Sequence, residues 1–230
     1  MIVVPQIAVA QEITISMGDG DSLSGRVVQA FILITLLSLA PGLVMMVTSF
    51  PFMVTVLAIL RQGLGLQQSP PNMLIVSLAL FLTYFVMEPV FIEAWTQGIK
   101  PSIDGAIPLE EGAQLAFEPF RRFMLAQTDA GTLAVLADLR NPAVPPEASK
   151  VSLSVLIPSF LLGEIERAFQ IGFLIFLPFL IIDLVVAAVL MSMGMMMVPP
   201  VIVSLPFKLA FFVVADGWTL LTEALVRSYF

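Results

Sequence analysis

The chain has 230 residues, of which 59% are hydrophobic and only 12% are charged, and its net charge is −7. Soluble domains carry about 25% charged residues, so this composition indicates a protein of the membrane or of a large protein interface. The absence of histidine and cysteine excludes disulfides, thiolate metal sites and cysteine nucleophiles, and the acidic balance argues against a nucleic-acid partner.

The first ten residues have some features of a signal peptide. Ala8-Val9-Ala10 followed by Gln11 fits a small-residue cleavage site. The apolar stretch before it is short and lacks a basic start, which signal peptides normally have. Residues 1–10 are therefore either part of a signal peptide or a chance match to one.

Residues 11–92 are predicted to hold an N-terminal segment and the first helical hairpin. One apolar run extends from Val27 to Leu60 and a second from Met73 to Val90. A straight membrane span needs about 20 residues, so the first run is too long for one span and somewhat short for two. The Ala-Pro-Gly sequence at residues 40–42 predicts a bent helix or a helix pair broken there.

Residues 93–150 form a polar region in which acidic side chains outnumber basic ones. Apolar residues from Leu109 to Met124 recur at helical spacing, and residues 131–139 predict a second short helix. The proline-rich stretch 141–150 is expected to close the region. We interpret this part as an extracytoplasmic helical region.

Residues 151–230 are almost wholly apolar and rich in proline. The prolines are expected to break this part into short, kinked helices, at Pro158, Pro178, Pro199, Pro200 and Pro206. Broken helices at membrane depth persist only where they are buried in protein or line a cavity. The sequence therefore predicts an all-α membrane protein whose C-terminal helices lie inside an assembly.

Charged residues inside the apolar sequence are candidates for buried polar contacts, within a chain or between subunits. Asp183 and Lys208 are each alone in their stretch, so we expect them to pair. The pair would be a structural ion pair, a proton or ion relay, or a contact between copies of the chain. Glu164 and Arg167 are three residues apart and should pair on one helix face. Asp216 is a further candidate.

The sequence MSMGMMMVPP at residues 191–200 concentrates methionine beside Gly194 and the double proline Pro199-Pro200. The methionines point in nearly all directions on a helix, and they are Met191, Met193, Met195, Met196 and Met197. They would either fill gaps at a buried helix end, or leave helical geometry as a loop that projects thioethers into a lumen. A single chain cannot form a ring, so the second interpretation requires an oligomer.

Other chemistry is not indicated. The sequence has no phosphate-binding loop, dinucleotide fingerprint or metal-ligand cluster, and without histidine the usual serine triad cannot form. We expect no catalytic residue, metal or cofactor, and no enzyme activity. Competing function classes are a secondary transporter with broken helices and mid-membrane charges, and a membrane scaffold without a pore.

Three blocks of sequence resemble the FliP family, the flagellar type III export-gate membrane proteins and their virulence-system counterpart SctR. The first block reads LVMMVTSF, LRQGLGLQQSPPN and LALFLTYFVMEPV between residues 43 and 90. The second is IPSFLLGEIERAFQIGFLIFLPFLIIDLVVAAVLMSMGMMMVPP at 157–200, and the third is LPFKLAFFVVADGW at 205–218. The resemblance runs from about residue 36 to the C-terminus and is weakest in the polar region.

This resemblance implies a function. FliP-like proteins are imported with a cleaved signal and assemble as a pentamer-like homo-oligomer with FliQ- and FliR-like subunits. They form a helical channel for unfolded flagellar subunits in the flagellar basal body, served by FlhB- and FlhA-like components. The resemblance also implies an inner-membrane location with a part on the periplasmic side. The methionine gasket of the family falls on Met195, Met196 and Met197.

Overall fold

The computed structural model describes residues 23–66, 70–140, 151–195 and 197–230. The described residues are helical or in turns, with no strand among them, which confirms the predicted all-α class. The chain divides into two units, residues 1–42 and 43–230. The proposed cleavage site and the stretch 141–150 fall outside the described residues.

The described residues form the following helices in chain order. They are α1 (Leu23–Met46), α2 (Phe50–Gly63), α3 (Asn72–Ala94), a π-helical turn (Trp95–Ile99), α4 (Lys100–Ile103), α5 (Leu109–Gln127), α6 (Ala130–Arg140), α7 (Leu153–Ser192), α8 (Pro200–Val214) and α9 (Gly217–Arg227). Helices α5 and α6 confirm the two helices predicted in the polar region. Helix α2 packs against α3, which carries the second of the two apolar runs.

The sequence predicted a break in the first apolar run at residues 40–42, but in the structure the break lies elsewhere. Helix α1 continues through Pro41, and the break is at Val47–Ser49. The reason is that Pro51 falls in the first turn of α2, where a missing N–H leaves no hydrogen bond unmade. The Thr48 hydroxyl donates to the carbonyl oxygen of Met45 at 2.9 Å and helps to end α1.

The prediction that prolines break the C-terminal third into short pieces is wrong for three of the five. Helix α7 runs unbroken for 40 residues through Pro158 and Pro178, and α8 continues through Pro206. Each proline removes one backbone donor, and in apolar surroundings the remaining helical hydrogen bonds have no competitor in water. Only Pro199-Pro200 coincides with a break.

Helix α2 lies along α7 and forms the centre of residues 43–230. The two helices run in the same direction, since Phe52 lies near Arg167, Ile59 near Gly172, and Gly63 near Phe179. A Cβ atom on Gly172 would lie 2.4 Å from the end of the Ile59 side chain, so a larger residue there would force Ile59 to shift. Buried side chains of α2, α3, α7, α8 and α9 surround the pair, and a second apolar cluster joins α5 and α6 to the start of α7.

Two helical stretches of the described residues are long and apolar enough to cross a membrane. They are residues 72–103 and 153–192. Helices α8 and α9 meet the same criteria only together, and they are bent by 65° at their junction. The described chain therefore has two candidate spans, or three if the bent pair forms one.

Candidate functional site

The methionine segment begins where Gly194 ends α7. The N–H of Gly194 donates to the carbonyl oxygen of Met191 at 3.0 Å, and the N–H of Met195 donates to that of Leu190 at 2.9 Å. This pair of hydrogen bonds is a Schellman motif, which requires a left-handed residue after the helix end. Gly194 supplies it with a φ of 73°. The chain therefore turns sharply at the point where the methionines cluster.

The methionine side chains that the structure describes in this segment are exposed in a single chain. Met197 is 97% exposed, and Met191, Met193 and Met195 are also exposed; Met196 lies outside the described residues. Methionines that fill gaps at a helix end would be buried, so that interpretation does not hold within one chain. Met195 and residues 197–199 lie outside the helices α7 and α8.

The double proline sets the start of α8. Pro199 caps the helix and Pro200 is its first residue, a position that tolerates the missing N–H. Beside the loop, α7 and α8 enclose an apolar cavity of about 610 Å³. Met193 and Met195 contribute to its lining, together with Val189, Leu190 and Phe207.

Asp183 and Lys208 contact each other within one chain. The Lys208 ammonium lies 2.6 Å from a carboxylate oxygen of Asp183 and donates a second hydrogen bond, of 2.9 Å, to the backbone carbonyl oxygen of Gly63. The Ser204 hydroxyl donates to the other Asp183 oxygen at 2.5 Å. The Lys208 side chain is almost fully buried, whereas that of Asp183 is 29% exposed. These contacts connect α2, α7 and α8.

Glu164 and Arg167 also pair, at 3.0 Å, on one face of α7. Glu164 is fully buried and accepts a second hydrogen bond from the Tyr229 hydroxyl. Burial and the neighbouring carboxylate raise the pKa of this hydroxyl above its ordinary range, so it remains a donor. Asp216, in contrast, is exposed in the single chain and has a left-handed backbone with a φ of 49° at the α8–α9 bend.

Three partners in these contacts had not been predicted. Ser204 precedes Lys208 by one helical turn, so its spacing could have placed it on the same face. The Gly63 carbonyl oxygen and Tyr229 are 145 and 65 residues away from Lys208 and Glu164, and no local pattern marks them. No group of three or more carboxylates that could hold a metal ion occurs among the described residues.

Comparison with known proteins identifies the family of this chain. The sequence profile of the FliP family matches residues 33–225, which include both charged pairs and the methionine loop. The chain belongs to the FliP family.

Relatives within this family agree over nearly the whole chain. The flagellar biosynthetic protein FliP of Caulobacter vibrioides is 50% identical over 228 residues, which cover 99% of this chain and 86% of the relative. That of Agrobacterium fabrum is 48% identical over 92% of this chain and 86% of its own length. That of Bacillus subtilis is 43% identical, with 93% and 96% covered.

Proposed function

We propose that this FliP-family chain is a core subunit of the flagellar type III protein export gate in the bacterial inner membrane. Several copies, five by the resemblance, would enclose a channel with FliQ- and FliR-like subunits. Unfolded flagellar subunits would pass through it, with FlhB- and FlhA-like export components as further partners downstream. The family membership and the flagellar names of the relatives support the export role.

The exposed methionine loop is the observation that carries the channel proposal. Met197 is almost fully exposed although it is apolar, and a sharp glycine turn holds its loop outside the helix. Apolar side chains held in solvent by a defined turn indicate a surface that is covered in the assembly. Thioether side chains adapt to many shapes, so a ring of these loops would exclude water and ions yet separate for a polypeptide.

The long apolar helices support a membrane location. Most side chains of α3 and α7 that point away from α2 are apolar and exposed in the single chain, as expected for surfaces that contact lipid or neighbouring subunits. The polar residues 93–140 would then lie on the periplasmic side. The two charged pairs, Asp183 with Lys208 and Glu164 with Arg167, would stabilise the fold of each subunit. Asp216 would be free to contact a neighbouring subunit.

Ion leak tests the gasket. The complex with its FliQ- and FliR-like subunits is placed in lipid vesicles, and ion flux is compared with that of a variant in which Met195, Met196 and Met197 are replaced by alanine. We expect the alanine variant to leak more, because the shorter side chains leave a wet gap. Replacement of the same residues by leucine is the matched control, since leucine keeps the apolar volume.

The two outcomes separate the function classes. Increased leak in the alanine variant alone supports the gasket. Equal leak in both variants and the unmodified complex would remove the gasket role. Transport of a small solute by this chain alone, without partners, would favour the secondary transporter instead.

A further inference from the structure

Two residues that follow α9 are hydrogen-bonded to side chains of α7. Helix α9 ends at Arg227, and the next two residues both contact α7. Arg167 donates from Nη2 to the backbone carbonyl oxygen of Ser228 at 2.6 Å. The hydroxyl of Tyr229 donates to Oε2 of Glu164. One main-chain contact and one side-chain contact therefore hold the C-terminal tail on the same turn of α7.

Arg167 is the centre of this group of contacts. Its Nη1 donates to Oε1 of Glu164 at 3.0 Å and to the Gln127 side chain, at the end of α5, at 2.9 Å. Its guanidinium carbon also lies 5.3 Å from the ring centre of Phe52 and 5.0 Å from that of Tyr229. The planar guanidinium can satisfy partners in several directions at once, which a lysine ammonium cannot do with the same geometry. It connects α2, α5, α7 and the tail.

The Tyr229 ring adds apolar contacts to the same place. It packs edge-on against Phe52 of α2, with ring centres 5.5 Å apart, and stacks on Phe123 of α5 at 5.9 Å. These ring contacts do not depend on the hydroxyl. A substitution that removes only the hydroxyl therefore separates the polar part of the attachment from the packing.

Glu164 makes release of the tail unfavourable. Its side chain has no exposed surface, and a buried carboxylate is costly unless it is paired and hydrogen-bonded. The carboxylate has two donors, Arg167 and Tyr229. If the tail left, the buried Glu164 would lose one of its two donors and the partly exposed Arg167 would lose its contact with Ser228.

The other end of the C-terminal segment is fixed in a similar way. Lys208 of α8 is bound to Asp183 of α7 and to the carbonyl oxygen of Gly63, the last residue of α2. Phe52, which contacts the tail cluster, lies at the start of α2. Between the two attachments is the 65° bend at Asp216, whose backbone has the left-handed conformation.

We propose that Glu164, Arg167 and Tyr229 form a latch that holds the C-terminal tail on α7. With the Asp183–Lys208 pair at the other end, this latch fixes the bent α8–α9 segment against α2 and α7. Without the latch, α9 keeps its apolar contacts, which include Leu221 and Leu225 in the core and the ring contact of Trp218 with Phe212 at 5.3 Å, but the tail loses its polar attachment to α7. The latch is a property of the single chain and does not depend on the proposed channel.

Hydrogen exchange of the full-length protein in detergent tests the latch. In a Tyr229→Phe variant we expect the backbone amides of residues 217–230 to exchange about tenfold faster or more, the ratio that corresponds to loss of one hydrogen bond to a charged group. Amides in α2 and α5 should keep their rates. The matched control is Tyr84→Phe, because Tyr84 is the other of the two tyrosines and its exposed ring stacks on Phe91, away from the tail.

A second variant tests the same contacts in case Tyr229→Phe does not fold. Arg167→Lys keeps the positive charge beside Glu164 but cannot reach Glu164, Gln127 and Ser228 together, so residues 217–230 should again exchange faster. Unchanged exchange in 217–230 for both variants would overturn the latch. Acceleration that is equal in all helices would also overturn it, since the cluster would then contribute only general stability.

Discussion

The ammonium of Lys208 on α8 lies 2.6 Å from the carboxylate of Asp183 on α7. Each is the lone charge in an apolar stretch of sequence, and the ion pair forms within one chain. The pair is unequal: the Lys208 side chain is 4% exposed and that of Asp183 is 29% exposed. The cost of removing a partner should therefore depend on which charge remains.

Replacement of Asp183 should be more harmful than replacement of Lys208. Asp183→Leu leaves a buried ammonium without a counter-ion, which costs about 3–5 kcal/mol. Lys208→Met leaves a carboxylate that keeps the Ser204 hydrogen bond and reaches solvent, so its cost should be smaller. Thermal unfolding in detergent measures both variants.

The double variant is the control for this pair. Asp183→Leu combined with Lys208→Met contains no unpaired charge and should be more stable than Asp183→Leu alone. Reversal of both charges should restore assembly only in part, because the carboxylate of Lys208→Asp cannot donate to the Gly63 carbonyl oxygen. A double reversal that assembles as poorly as either single reversal would contradict the pairing.

Gly194 should be sensitive to alanine for conformational reasons alone. A Cβ atom there meets nothing within 4 Å, but the φ of 73° lies in the left-handed region, which costs an L-residue about 1–2 kcal/mol. Gly194→Ala should lower the unfolding temperature and increase exchange at residues 190–195. Gly163→Ala is the control, since its Cβ also meets nothing within 4 Å and it lies inside α7. A stabilised Gly194→Ala variant would show that the turn is not needed.

Gly98 should be sensitive for a different reason, the close approach of two backbones. A Cβ atom on Gly98 would lie 2.3 Å from the amide nitrogen of Ala116 and 2.4 Å from the carbonyl oxygen of Gly112. Backbone atoms cannot move aside as a side chain can. Overpacking typically costs about 1–3 kcal/mol of stability, and we expect Gly98→Ala to lie at or above the upper end of this range. The rate of proteolytic cleavage within α5 measures whether α5 has separated from the π-helical turn. Unchanged cleavage, as in the Gly163→Ala control, would contradict the close packing.

A single introduced cysteine can test whether methionine loops meet. The chain has no cysteine, so Met197→Cys gives one thiol per copy. We expect oxidation of the assembled complex to produce disulfide-linked pairs of this chain, because a shared lumen brings the loops together. Met73→Cys, exposed at the start of α3, is the control and should remain unlinked. Linkage at residue 73 but not at residue 197 would place the contact between copies elsewhere.

Sequence periodicity and isolated charges predicted much of this structure. The spacing of apolar residues predicted α5, and the lone charges in apolar sequence led to Asp183 and Lys208. Proline was a poor guide, because Pro158, Pro178 and Pro206 lie inside continuous helices. A missing N–H breaks a helix reliably only where water or a turn offers the backbone an alternative.

Contacts over long sequence separations were not predictable. Tyr229 reaches Glu164 because α9 leaves the direction of α8 by a bend of 65° at their junction, and the carbonyl oxygen of Gly63 has no side chain to mark it. The methionine segment with Gly194 and Pro199-Pro200 suggested a loop as one of two interpretations, but only the structure shows that a Schellman turn at Gly194 ends α7. Local patterns gave the elements, whereas the packing of α2 along α7 decided which residues meet.

The native mass of the complex tests the central proposal most directly. The chain is expressed with its FliQ- and FliR-like subunits and extracted in detergent. The mass of the intact complex is then measured by native mass spectrometry. We expect a large complex that contains several copies of this chain together with both partners. A stable monomer or dimer that binds neither partner would contradict a shared channel and would leave the exposed methionines without a lumen to seal.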